Sequence, residues 1–260
     1  MIHPTAIVDP KANIGQNVKI GPYCIVGPKV TLHDDVELIS HVCIAGQTAI
    51  GARTVIFPFA SIGHVPQDKK YEGEESKLLI GEDNRIREYA TMQPGTSGDN
   101  MLTKVGDRGL FMAGTHVAHD CVVGDDVVMA NNATLAGHVE VGDFVIIGGL
   151  AGIHQRVRIG SHAIIGGLSP VDSDVIPYGS VRGERAFLNG LNILGLKRRG
   201  FSREAIDELR SAYRSLFSGE GTVGERIELT EKAYKTSQIV MEIVGFMQAE
   251  SKCGFCLPIE

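Results

Sequence analysis

The stretch "GTHVAHDCVVGDDVVMANNATLAGHVEVGDFVIIGGLAGIHQRVRIG", residues 114–160, decides the fold. An apolar residue recurs in it every six positions: Val117, Val123, Met129, Leu135, Val141, Ile147, Ile153 and Ile159. A spacing of six is neither the 3.6 period of a helix nor the plain alternation of a long strand. Followed outward, it runs from Ile2 to Ile62 and returns at Ile80, Ile86 and Met92. Shifted by one residue, it then continues from Val105 to Val171. Two residues before most of these positions stands a small or β-branched residue, as at Val18, Cys24, Val30, Ala133, Val139 and Val145. Residues two apart on a strand share a face. Each hexad therefore predicts a short strand with two inward side chains, followed by a corner that often opens on glycine (Gly15, Gly21, Gly124, Gly142). A sandwich of ordinary strands would not hold one phase over so many repeats.

Such hexads resemble those of the hexapeptide-repeat transferases, whose parallel β-helix takes three hexads, 18 residues, per triangular coil. With strands about 4.8 Å apart, roughly nine coils would make a prism on the order of 40 Å tall. The resemblance implies a left-handed coil, against the usual right-handed parallel crossover. The expected fold is thus mainly β: a left-handed parallel β-helix over 1–184 and a C-terminal helical domain over 185–260. Two stretches, 64–79 and 93–104, break the period and are expected as extruded loops, where chemistry tends to sit. After about residue 185 the period becomes helical. Ser202 precedes a face of Ile206, Leu209, Tyr213, Leu216 and Phe217, and "TVGE" (222–225) reads as a capping box before a further helix.

Bulk composition excludes several function classes. A net charge of −6 and a pI near 5.9 offer no basic field for nucleic acid or anionic lipid. The longest uncharged run, "FVIIGGLAGI", is Gly-broken and too short to span a bilayer, and "MIHPTAIVDPKA" lacks the pattern of a signal peptide. Five cysteines in 260 residues do not make a disulfide framework. A cytoplasmic protein without stable membrane insertion is expected. Cys24 and Cys121 fall in inward slots and read as core.

His119, His138 and His154 belong to hexads that begin at 117, 135 and 153, each 18 residues from the next. Under three hexads per coil they occupy one vertical edge at outward corner positions, with His116 just before the same corner. The spacing makes them one site. Three coils span about 9.6 Å, which strains convergence on a zinc ion with ligands at 2.0–2.1 Å. A neutral imidazole acting as general base, oriented by Asp120, fits better. Arg198 and Arg199 in "KRRG" suit phosphate, and equally suit a helix C-terminus before glycine.

"AHDC", "QDKKY", "NNATLAGHV", "IHQ" and "LNILGLKRRGFSRE" together resemble the UDP-N-acetylglucosamine O-acyltransferases that open lipid A biosynthesis in Gram-negative bacteria. The likeness runs over essentially the whole chain. It implies transfer of a 3-hydroxyacyl chain from acyl carrier protein to the glucosamine 3-hydroxyl of UDP-N-acetylglucosamine, in a homotrimer with sites between subunits. No cofactor and no metal are expected. By the same likeness His119 is the general base, Asp120 supports it, and the Gly137 N–H stabilises the oxyanion. His116, His138 and His154 line the sugar and acyl site. Gln67, Asp68 and Lys70 hold the sugar, while Gln155, Asn192, Arg198 and Arg199 serve the UDP end. Gly167 would be the floor of the acyl groove, open to a long chain. It sits at a corner, where backbone strain alone would also explain a glycine.

The chain departs from the family pattern at "TMQPGT" (91–96), where Gln93 and Pro94 stand at the sugar end, at Arg185, at Leu194, and in the tail "ESKCGFCLPIE". The first leaves open whether the acceptor carries a 3-hydroxyl or a 3-amino group. A later N-acyltransferase of the same pathway and a zinc-dependent hydratase on the same solenoid are the alternatives among enzymes.

Overall fold

The computed structural model describes residues 1–259. From Ile7–Val8 to Pro170–Val171 every strand ends on the leading apolar residue of a hexad. Ile2 makes only an isolated bridge to Ile20. Successive strands turn from sheet to sheet, giving three sheets of nine, eight and ten strands, parallel throughout except for the final pair of the ten-stranded sheet. Register follows the 18-residue coil: Val117 pairs with Leu135, and Leu135 with Ile153. Where the period breaks, the chain loops out and returns in register, so Ile62 pairs with Met92 and Ile80 with Val105. The segments between Ile62 and Lys77 and between Met92 and Leu102 are the two excursions.

The core is the stack of inward pairs. Val139 with Val141 and Val157 with Ile159 are all at most 4% exposed, and Phe111, the largest, is at 0%. Burying each such aliphatic side chain contributes about 1.5–3 kcal/mol, and dozens of them hold a solenoid whose strands are only two to four residues long. Cys24 and Cys121 lie in this stack, as their slots require.

At most corners the left-handed backbone falls on the fourth residue of the hexad, and it is usually not glycine: Asn17 (φ 56°), Asp35 (59°), Asp120 (59°), His138 (62°) and His162 (63°). The glycines that open corners answer to a different constraint. A Cβ on Gly21 would lie 1.7 Å from the Ile39 carbonyl oxygen, and one on Gly51 would lie 2.4 Å from the Gly81 carbonyl carbon. They let one coil sit on the next. The left-handed side chains stack vertically along the edges. Phe144, His162 and Tyr178 form one such ladder, with centroids 4.8 and 5.4 Å apart and rings within 7° of parallel.

The solenoid gives way to Gly179–Arg182, parallel to Ile164–Ile165 and antiparallel to Phe187–Leu191. Four helices follow: α1 (Ile193–Arg198), α2 (Arg203–Phe217), α3 (Val223–Tyr234) and α4 (Gln238–Gln248). Ser202 caps α2 and Thr222–Glu225 closes the capping box of α3, as the sequence predicts. α2 buries Ile206, Leu209, Ala212 and Leu216, while Tyr213 and Phe217 pack against each other at its half-buried margin. The tail has a structural role the sequence did not suggest: Phe255 bridges Asp174, and Cys256 N–H donates to the Asp174 carbonyl at 2.8 Å. An ion pair at 2.7 Å between half-buried Arg158 and buried Asp174, with Arg158 over the Phe246 ring, ties solenoid to α4. Cys253 and Cys256 are free thiols facing different carbonyls, Gln155 and Ser173. Among the described residues no helix is long and apolar enough to cross a membrane.

Candidate active site

His119 and Asp120 are the third and fourth residues of the hexad begun by Val117, so one corner presents an imidazole and a carboxylate side by side. The left-handed turn at Asp120 is accessible to Asp, and its N–H donates to Thr103 Oγ1 at 2.8 Å. His119 Nδ1 then lies 2.8 Å from Asp120 Oδ2. The same carboxylate accepts Thr96 Oγ1–H at 2.6 Å and Thr96 N–H at 3.0 and 3.1 Å. A carboxylate only accepts, so the His119 proton sits on Nδ1 and the Nε2 lone pair is free. Nε2 is 4.0 Å from Asp68 Oδ2.

One coil on, Gly137 lies against the His119 ring, and a Cβ there would be 2.5 Å from Cε1. Gly137 accepts Arg156 N–H through its carbonyl at 3.1 Å. Its neighbour His138 stands with its ring at 88° to that of His119 and 5.1 Å away, and its Nδ1 is 3.0 Å from Asp99 Oδ2. His116 bonds Thr91 Oγ1 through Nδ1 at 2.7 Å, and burial, with His119 nearby, lowers its pKa. His154 is exposed, its Nδ1 3.2 Å from the Gln155 carbonyl, with Gln155 also exposed. The vertical edge is therefore not uniform. The first two coils bring His119 and His138 into contact; the third leaves His154 to solvent. Nor are the two corner rings solvated, since the excursions cover them to 10% and 7% exposure.

Those excursions are knitted together. Gln67 N–H donates to Gln93 Oε1 at 3.0 Å, and Gln93 is buried. Ser97 N–H donates to Glu74 Oε1 at 2.9 Å, and backbone N–H donors pull the Glu74 pKa down to about 2. The first excursion thereby carries Asp68 beside His119, with Lys70 exposed close by and its N–H on Asp68 Oδ1 at 3.0 Å. Thr96 and Asp99 escaped the sequence reading because no repeat phase marks a residue of an excursion, whereas Thr103 lies on the strand Leu102–Val105 in the inward slot two residues before Val105. The only available signal was that the loop leaves the sheet that carries His116.

His119, Asp120 and His138 offer ligand atoms within 4.8 Å of one another, enough to suggest a metal. Both Nδ1 atoms are committed to carboxylates, however, and tetrahedral zinc gathers its ligands to roughly 3.4 Å apart. The set is better built for moving a proton. Cys121, the neighbouring thiol, is fully buried, bonds the Ala136 carbonyl at 3.2 Å, and has its pKa pushed up to about 12 by burial. It is no nucleophile.

Of the residues expected at the nucleotide end, Asn192, Arg198 and Arg199 lie about α1, whereas Gln155 stays beside His154 with its carbonyl facing the Cys253 thiol. Asn192 is buried: its Oδ1 accepts Gly195 N–H at 3.1 Å as the N-cap of α1, and its Nδ2 donates to the His162 carbonyl at 2.9 Å. Arg199 is the C-cap, followed by Gly200 at φ 80°, so the helix-terminus reading of "KRRG" holds. The Arg199 guanidinium donates to the Phe144 carbonyl at 2.7 Å and lies over the Phe144 ring. Arg198 is exposed. Asn192, Leu194, Arg198 and Arg199 line one cavity of about 380 Å³. Gly167 has no left-handed φ, which falls on Leu168 instead, so strain does not account for this glycine.

Comparison with known proteins bears on the whole chain. Residues 174–256 match the family model described as UDP N-acetylglucosamine O-acyltransferase, domain 2. The chain is 53% identical to the acyl-[acyl-carrier-protein]–UDP-N-acetylglucosamine O-acyltransferase of Rickettsia canadensis, over 98% of this chain and 97% of that one. It is 54% identical to the protein of the same name from Caulobacter vibrioides, over 99% and 98%. Among solved structures, a UDP-N-acetylglucosamine acyltransferase superposes at a TM-score of 0.96, with 43% identity and complete coverage of both chains. A homologue from Acinetobacter baumannii superposes at 0.92, with 44% identity and 98% of each chain covered. The fold is the expected left-handed parallel β-helix with a helical C-terminus, its coil predicted by the hexads and its hand implied by the resemblance. The chain belongs to the UDP-N-acetylglucosamine O-acyltransferase family.

Proposed function

We propose that this protein transfers a 3-hydroxyacyl chain from acyl carrier protein to the 3-hydroxyl of UDP-N-acetylglucosamine, the first acylation of lipid A biosynthesis. The observation that carries the reading is the His119–Asp120 pair, whose free Nε2 is held between Asp68 and Gly137. His119 removes the proton of the sugar hydroxyl as that oxygen attacks the thioester carbonyl. The Gly137 N–H stabilises the oxyanion, a role in which fixed backbone donors are effective. The thiol of the carrier's prosthetic group leaves, taking up the proton.

Gln67, Asp68 and Lys70 hold the sugar, and His116, His138 and His154 line the sugar and acyl site. Gln155 and Arg198 meet the UDP end, where Asn192 and Arg199 hold the α1 termini that shape it. The working assembly is a homotrimer in the cytoplasm, with sites in the clefts between subunits. Transfer is direct, because no activated Ser or Cys accompanies His119.

The test is a transfer assay read by mass spectrometry, offering 3-hydroxyacyl carrier proteins with UDP-N-acetylglucosamine or its 3-amino analogue. An O-acyl product is expected. Product from the 3-amino sugar alone would reassign the acceptor, and no product from either would reject the reading.

A further inference from the structure

The excursion between Met92 and Leu102 carries two groups, three residues apart, that each meet the site at a different imidazole. Thr96 donates through both N–H and Oγ1 to Asp120, which accepts from His119. Asp99 accepts directly from His138 Nδ1 at 3.0 Å. Gly95 fixes where the loop leaves the solenoid: a Cβ there would lie 2.0 Å from Leu102 N and 2.7 Å from Asp120 Oδ1. Ser97 joins the loop to Glu74 of the first excursion. Thr96 is 3% exposed, whereas the Asp99 side chain is 36% exposed and has no packing role that would explain it.

The consequence follows from hydrogen-bond chemistry. Which nitrogen of a neutral imidazole carries the proton is set by the bond the other makes. Because Asp99 can only accept, it holds the His138 proton on Nδ1 and leaves Nε2 as an acceptor, the same tautomer that Asp120 imposes on His119. The two rings meet edge to face at 5.1 Å, and the side chain of His138 is only 7% exposed, so little water competes for its nitrogens.

We propose that this one loop positions both site imidazoles: Thr96 anchors Asp120, which sets the tautomer of His119, and Asp99 is a positioning residue that sets the tautomer of His138 and keeps it a hydrogen-bond acceptor toward bound substrate. The effect on turnover rests on the acyl-transfer reading above; the tautomer itself does not.

The experiment therefore has two arms. In [15N]histidine-labelled protein without substrate, long-range proton–nitrogen spectra, assigned with His138→Gln, should show the His138 proton on Nδ1. In Asp99→Asn the amide can donate to Nδ1, and the proton should move to Nε2. In the transfer assay Asp99→Asn should lower kcat between about tenfold and 10²-fold, with KM for the sugar nucleotide and the melting temperature nearly unchanged. Asp99→Glu, which still accepts, should recover part of the loss. A wild-type proton on Nε2, or an Asp99→Asn enzyme with normal kcat, overturns the proposal. So does a variant that loses melting temperature while keeping its tautomer, since Asp99 would then be a loop tether only. An inactive wild type with the expected tautomer would count against the transfer reading and leave the positioning by Asp99 standing.

Discussion

Gly137 shows how much at this site depends on one missing methyl group. Its Cβ would press on Cε1, Nε2 and Nδ1 of His119 at 2.5–3.1 Å. Gly137→Ala should therefore push the ring off Asp120 and cut kcat by about 10²-fold, with a smaller effect on the melting temperature than a core truncation has. Steady-state kinetics alongside calorimetry separates the two, and an alanine variant of normal kcat would mean the ring moves freely. The neighbouring Cys121 supports an opposite kind of expectation. Incubation with acyl carrier donor alone should leave the intact mass of the protein unchanged, because a buried thiol with its pKa near 12 does not attack. A stoichiometric acyl adduct would contradict direct transfer. At this scale the sequence was informative wherever the repeat supplied a coordinate. His119, Asp120 and His138 could be placed on one edge because hexads count. Thr96 and Asp99 could not, because a residue in an excursion has no phase.

At the level of elements, α1 separates two arginines that look alike in sequence. Arg199 is engaged by Phe144 and has an Nη1 that is buried without a partner, and burial lowers its pKa. Arg198 lies exposed on the wall of the adjoining cavity. Arg199→Ala should thus lower the melting temperature, whereas Arg198→Ala should raise KM for the sugar nucleotide and leave stability nearly intact. The reversed pattern would exchange their roles. The aromatic ladder beneath α1 adds a dependence on pH. Burial, and then Arg199, depress the pKa of His162, with Asp143 acting against them. Its neutral form is the folded form, so its contribution is whole above the unfolded value of about 6.5 and is lost as pH falls below that toward the depressed value. The melting temperature of wild type should drop between pH 7.5 and 5.5 by more than that of His162→Phe. Equal drops would show that the ladder does not titrate. The sequence foresaw α2 and the box that opens α3 from their caps. It left "KRRG" undecided between cap and phosphate ligand, since a helix terminus and an anion site ask for the same residues.

For the molecule as a whole, the solenoid was legible because an 18-residue coil repeats its instruction at every level, and an excursion does not erase the period on its far side. The corner chemistry was less legible. Glycine marks corners through coil-to-coil clearance, as at Gly21, while left-handed backbone goes to Asn, Asp, His and Tyr and also to Arg, Phe and Leu, so composition alone misstates which residue bears the turn. Gly167 matters at this scale because it has neither constraint in full. An added Cβ would meet only Gly149, at 3.1 Å from its carbonyl oxygen. Gly167→Met should fold, and should shift preference toward shorter acyl donors in a competition assay. At about 0.8 kcal/mol for each buried methylene, a four-carbon difference supports strong selection. Equal loss with long and short donors would make Gly167 a backbone requirement.

The central claim is that His119, set in its tautomer by Asp120, is the base for acyl transfer. The most direct measurement is kcat for transfer to UDP-N-acetylglucosamine by His119→Ala beside wild type, at saturating acyl carrier donor. A fall of about 10²-fold or more is predicted; a variant that turns over at the wild-type rate would contradict the assignment.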